Sequence, residues 1–156
     1  MTSYDVVIDR FITKIKKDKK YFKFKDTDET TALDMIKRRS LELLINASDE
    51  ITPLISFTQN VDFSNRDDDI EIFNFDLTSI EIDLLTDLMV VKLYDEETIT
   101  LKNMQKYLGK DIEVFSPAKE RDSFLALVKY KHSEFEKKLG NYNIRDRKTG
   151  KPLMAY

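Results

Sequence analysis

The sequence predicts a mainly α fold: a small helical bundle around a central apolar helix, with a short β-hairpin or extended loop and a flexible C-terminal arm. Three observations carry that prediction. Only 3 Gly and 3 Pro occur in 156 residues, so few positions interrupt a helix. Apolar residues recur at helical spacing in several separate stretches. The most apolar stretch, residues 80–94, follows directly on a helix-start signal and has ten apolar residues in fifteen.

A first helix is expected over residues 4–17. Tyr4, Ile8, Phe11, Ile12 and Ile15 share one face. Thr2 or Ser3 can cap it, and lysines at its end suit the helix dipole. Residues 18–27 read as irregular, basic and aromatic. A second helix is expected over 28–51, where Asp26, Thr27 and Asp28 offer capping oxygens. Its stripe is Leu33, Ile36, Leu43, Leu44, Ala47 and Ile51, and Pro53 closes it.

Residues 54–75 alternate loosely through Ile55, Phe57, Val61 and Phe63, then Ile70, Ile72 and Phe75. That pattern predicts the hairpin or extended loop, with Arg66-Asp67-Asp68-Asp69 at its bend. Thr78-Ser79-Ile80-Glu81 is a capping box, in which the threonine oxygen and the glutamate carboxylate each accept from the other residue's backbone N–H. The central helix follows. A loop is expected at 95–98, then a short helix at 101–108 ended by Gly109. Ser116-Pro117 opens the last helix, which carries Phe124, Leu127, Val128, Phe135 and Leu139 and is expected to stop at Gly140. Glu134 and Lys138 have the spacing of a helical ion pair. The expected organisation is one helical domain over 1–140 and an arm over 141–156.

Composition narrows the chemistry. There is no Cys and one His, which excludes disulfides and cysteine-based metal or nucleophile sites. The net charge is −3 with 35% charged residues, giving no global argument for nucleic acid or membrane. No apolar run reaches the ~20 residues a membrane-spanning helix needs, and the N-terminus lacks the pattern of a signal peptide. The expectation is a protein made in a cytoplasm and not bound to membrane. No phosphate-binding glycine loop or zinc spacing occurs. The single His132 reads as a half-exposed helical histidine. The expectation is a non-enzymatic chain with no cofactor and no metal.

Three stretches are candidates for partner or DNA contact. Residues 10–25 hold eight bases and one acid, with Tyr21, Phe22 and Phe24 interleaved. Lys14, Lys16, Lys17, Lys19 and Lys20 could meet phosphates while aromatics stack on bases, the pattern of a helical nucleic-acid-binding module. The simpler reading is a helix end with a lysine-rich solvated face and its aromatics turned into the core; a third reading pairs these bases with acids on a neighbouring copy. Asp67, Asp68 and Asp69 lie in a segment, 62–83, with eight acids and one base. A cation site there would need a glycine turn and a distant Glu at offsets this sequence lacks, so a solvated acidic turn is the simpler reading. Separated patches of opposite sign suit head-to-tail rings. In the arm, Tyr142, Ile144, Leu153, Met154 and Tyr156 alternate with Arg145 and Arg147. Such a segment can dock apolar anchors in a neighbour's pockets with basic residues at the rim.

One longer pattern runs through these elements. Arg66-Asp67-Asp68-Asp69, Phe73-Asn74-Phe75-Asp76-Leu77-Thr78, Glu81-Ile82-Asp83-Leu84-Leu85 and Met89-Val90-Val91 resemble a family of head–tail connector (neck adaptor) proteins from tailed phages of Gram-positive bacteria. Val114-Phe115-Ser116-Pro117-Ala118 and the charged helix after it are similar too. The resemblance covers roughly 28–139 and lies in spacing and helix order more than in rare residues. Lys92-Leu93-Tyr94-Asp95 departs from the family, which often ends its central helix with Trp and a Leu-Lys-Pro stop. The resemblance implies a virion structural subunit of the neck. It implies a ring, commonly of twelve copies, between the portal protein and a tail or neck completion protein, surrounding packaged DNA.

Overall fold

The computed structural model describes residues 1–16, 29–108 and 118–153. In chain order the elements are β1 (Thr2–Ser3), α1 (Tyr4–Lys16), α2 (Glu29–Ile51), two single 3₁₀ turns (Thr52–Leu54 and Phe57–Gln59), β2 (Arg66–Asp67), β3 (Ile72–Phe73), α3 (Ser79–Leu108) and α4 (Ala118–Asn143). The fold is mainly α, as the apolar spacing predicts. α3 is central and packs against α1, α2 and α4.

The helices form where the spacing places them. α1 buries Tyr4, Val7, Ile8, Phe11 and Ile12. Its cap is Ser3, whose Oγ accepts the N–H of Asp5 at 3.3 Å. Thr2, the other expected cap, instead accepts the N–H of Leu77. α2 buries Leu43, Leu44, Ala47 and Ile51 together with Ser40 and Ser48. Both serine hydroxyls donate to the carbonyl four residues back, Ile36 and Leu44, so neither is left unsatisfied. α3 begins at the capping box: the N–H of Thr78 donates to Glu81 Oε2 at 2.7 Å, and the N–H of Glu81 to Thr78 Oγ1 at 3.3 Å. Leu84, Leu85, Leu88, Met89, Val90, Val91 and Tyr94 then fill the middle of the core. Each such side chain contributes roughly 1.5–3 kcal/mol on burial.

The bend forms a small antiparallel sheet of order β1-β3-β2, with Arg66 opposite Phe73 and Asp67 opposite Ile72. β1 was not foreseen. Two residues before α1 pair with β3, Thr2 opposite Phe73 and Ser3 opposite Ile72. The sheet caps one end of the core through ring contacts of Tyr4 with Phe73 and of Phe75 with both Phe63 and Phe73. Ile70, expected to alternate with Ile72, sits exposed in the hairpin turn instead.

Three expectations need correction. First, no loop interrupts 95–98, and α3 runs unbroken to Leu108. Its acids reach sideways while the backbone stays helical: Asp95 meets His132 on α4, Glu96 meets Arg39 on α2, and Thr98 Oγ1 donates to the Tyr94 carbonyl. No Gly or Pro lies there to stop the helix. Second, α4 passes through Gly140 to Asn143. Third, residues 141–153 are not a free arm. Tyr142 is in the core, Arg145 bridges Pro152, and the N–H of Leu153 donates to the Ile144 carbonyl. The expected cap residues Asp26, Thr27 and Asp28, together with Gly109, Ser116 and Pro117, lie outside the described residues. Among the described residues, no helix is long and apolar enough to cross a membrane.

Candidate interaction surfaces

Among the described residues, most of the expected contact residues lie in three hydrogen-bonded clusters within the subunit or at one exposed end. The deepest cluster surrounds Glu81, which is 0% exposed. Its Oε1 accepts from Tyr142 Oη at 2.6 Å and from Arg147 Nε at 2.5 Å. Its Oε2 accepts from the Thr78 N–H and from an Arg147 terminal nitrogen at 3.0 Å. Burial works against the charged carboxylate. The Arg147 pair, the Tyr142 hydroxyl and the Thr78 amide outweigh it and hold Glu81 below the usual carboxylate range. The same burial and the same carboxylate push the Tyr142 hydroxyl well above its ordinary value. Arg147 also donates to the Asp76 carbonyl and lies over the Phe75 ring. A buried carboxylate is tolerable only when paired and hydrogen-bonded in this way.

The hairpin is the second cluster. Arg66, with a nearly buried side chain, bridges Asp49 of α2 at 2.7 Å and Asp68 at 2.9 Å. Asp68 also accepts from Tyr4 Oη at 2.5 Å, and that bond, with Arg66, lowers its pKa. Asp67 Oδ1 accepts the N–H groups of Asp69 and Ile70, which shapes the turn. Asp69 remains exposed. Two of the three expected contact acids therefore have internal tasks. No group of three or more His, Asp or Glu side chains placed to hold a metal ion occurs among the described residues.

The third cluster joins α1, α3 and α4. Lys14 Nζ donates to Thr86 Oγ1 and to Asp87, both at 2.6 Å, and to the Asp83 carbonyl at 3.2 Å. Arg10 pairs with Asp83, and Lys138 with the other oxygen of Asp87. Lys138 thus reaches across to α3 instead of pairing along its own helix. Lys14, expected to be an exposed contact residue, is an internal tie. Lys16 lies in the last turn of α1. Lys17, Lys19 and Lys20 lie outside the described residues, as do Met154 and Tyr156.

The remaining expected contacts gather at the end of α4. Ile144, Arg145 and Leu153 are exposed there. Between α4 and the start of α3 runs an open groove of about 360 Å³, lined by Ile80, Asp83, Leu84, Lys138, Tyr142 and Arg147 among others. Its lysine, tyrosine and Arg147 are already engaged by Asp87 and Glu81. In the sequence Glu81 shows only as half of a capping box, and nothing there marks it as an organising centre. Nor does any local pattern mark Gln59, whose buried amide donates to the carbonyls of Tyr142 and Arg145. No family model, curated protein or solved structure matches the chain.

Proposed function

We propose that this chain is a structural subunit of a phage neck ring, joining the portal vertex to the tail and surrounding the DNA channel. The residues that carry the resemblance to neck adaptors also hold this subunit rigid. Arg66 and Asp68 lock the hairpin to α1 and α2, and Thr78 and Glu81 start α3 and bind the C-terminal segment. The observation that carries the proposal is the direction of the charges. Lys14, Arg66 and Arg147 pair with carboxylates of the same subunit, while Ile70 stands exposed in an acidic turn and Ile144 and Leu153 stand exposed in a segment that carries Arg145, Lys148 and Lys151. That arrangement suits a body that docks on neighbours; in this reading no bond is made or broken. The partners are copies of itself, commonly twelve under the resemblance, the portal protein, a tail or neck completion protein, and the DNA inside.

Arg10 and Lys14 are neutralised by Asp83 and Asp87, which removes two of the eight cations that a nucleic-acid surface over 10–25 would use. The test is to incubate purified portal rings of the same virus with the chain and to image them by electron microscopy. An added layer of regular subunits on the tail-facing side supports the proposal. Undecorated portal rings, with a salt-sensitive gel shift of duplex DNA by the free chain, would replace it with the nucleic-acid reading.

A further inference from the structure

Phe57 is 94% exposed, although the turn that carries it is fixed on every side. The Ser56 N–H donates to Asn143 Oδ1 at 2.9 Å, and the Asn143 amide donates to the Leu54 carbonyl at 2.9 Å. The Gln59 N–H donates to the Ser56 carbonyl, and Asn60, at φ 48°, closes the turn by donating to the Phe57 carbonyl. Behind the turn, the Gln59 side chain is buried against the Tyr142 and Arg145 carbonyls. These bonds fix the backbone that carries the ring. An aromatic side chain presented on a backbone already fixed spares the entropy of ordering that backbone on binding.

The same bonds bring other apolar side chains to this end. Leu54 is 45% exposed, Ile144 60% and Leu153 39%. Residues 52–60 carry no charge, and Arg145, Lys148 and Lys151 stand exposed on the adjoining segment, whose one acid, Asp146, accepts the N–H groups of Lys148 and Thr149 in its own turn. The surface is therefore apolar with a basic rim. Its chemical complement lies elsewhere on the same chain. The hairpin turn presents Ile70, 63% exposed, between exposed Asp69 and Glu71. Glu71 holds a left-handed backbone, φ 55°, and its carbonyl accepts the Tyr4 N–H, so this turn too is fixed.

We infer that the Phe57 surface of one copy receives the Asp69-Ile70-Glu71 turn of the next copy, so that the chain associates head to tail. The occupant is a second copy because the acidic, apolar-tipped turn matches the basic, apolar surface in both charge and character. Two different surfaces meeting make a heterologous contact, which propagates until it closes into a ring or runs on as a filament. The inference rests on the assembly part of the neck-ring reading and supplies the surfaces for it.

Two variants test it in sedimentation velocity of the full chain. Phe57→Glu blocks the receiving surface, and the double change Asp69→Lys with Glu71→Lys reverses the turn. Phe57 is solvent-exposed and Asp67 still shapes the turn, so circular dichroism should match the unchanged protein for both. Each variant alone should self-associate more than about tenfold more weakly than the unchanged chain. An equimolar mixture should form dimers and stop there, since each pair keeps one intact surface and one intact turn. A Phe57→Glu chain that associates as the unchanged chain does would overturn the inference, as would a mixture that stays monomeric. Portal rings decorated equally well by Phe57→Glu would overturn it while leaving the neck reading intact. Association through these surfaces without decoration would do the reverse.

Discussion

Tyr142, in the last turn of α4, donates its hydroxyl to Glu81, in the first turn of α3, at 2.6 Å. With the Arg147 pair beside it, this bond makes the C-terminal segment part of the subunit's interior. Arg147→Met should leave the buried Glu81 carboxylate without its cation, at a cost of about 3–5 kcal/mol. For a chain of this size, Tm should fall by on the order of 10 °C. Tyr142→Phe removes one of several donors and should cost less, about 1–2 kcal/mol. Equal melting of both variants and the unchanged chain would show that the cluster does not hold the fold.

The cluster also sets the response to acid. The Glu81 carboxyl is held below its unfolded value, which is about 4.3. Such a group adds stability at pH above the unfolded value and loses that contribution as pH falls through the folded one. Asp68, lowered by Tyr4 and Arg66, acts in the same direction. Tm should therefore hold steady from pH 7 to 5 and drop below about 4. Glu81→Gln should start from a lower Tm and show a shallower drop. A drop equally steep in Glu81→Gln would place the acid sensitivity elsewhere.

Removing residues 144–156 deletes Arg147 and the Leu153–Ile144 backbone bond. A chain ending at Asn143 should unfold several kcal/mol more easily, by about as much as Arg147→Met. Thermal melting followed by circular dichroism is the measurement. An unchanged Tm would restore the free-arm expectation.

Lys14→Glu places a third carboxylate between Asp83 and Asp87. The expected loss is roughly 1–3 kcal/mol, at the lower end where solvent reaches Asp83. Urea denaturation should show a lower midpoint for Lys14→Glu and a smaller change for Lys14→Met. A midpoint unchanged by the reversal would return Lys14 to the solvated surface.

Leu85→Asp puts a charge at a fully buried position of α3, and Leu88→Asp does so at a nearly buried one. Each should cost several kcal/mol and unfold or aggregate the chain. A folded Leu85→Asp chain with the Tm of the unchanged protein would mean that α3 is not the centre of the core.

Local signals made the helices legible. Leu43, Leu44, Ala47 and Ile51 repeat at the period of one helix face, and Thr78 with Glu81 marks a helix start that the backbone follows. What the sequence did not disclose depends on distant partners. The acids at 95–97 look like a loop until His132 and Arg39 stand beside Asp95 and Glu96. Gly140 reads as a stop, yet a Cβ there would meet nothing, and the helix continues because Tyr142 has a buried place to reach. Arg147 looked like a rim residue of an arm, since its partner Glu81 lies 66 positions earlier. The exposure of Phe57 is hidden in the same way: its alternation with Ile55 and Val61 predicts a hairpin or extended loop, whereas it sits on a 3₁₀ turn tied down through Asn143 and Gln59.

The neck-ring proposal is tested most directly by cryo-electron microscopy of tailed particles that contain this chain. The expected result is a symmetric ring between the portal and the tail into which this helical subunit fits, with the Phe57 end of each copy against the hairpin turn of the next. Density for the chain elsewhere in the particle, or particles complete without it, would contradict the account.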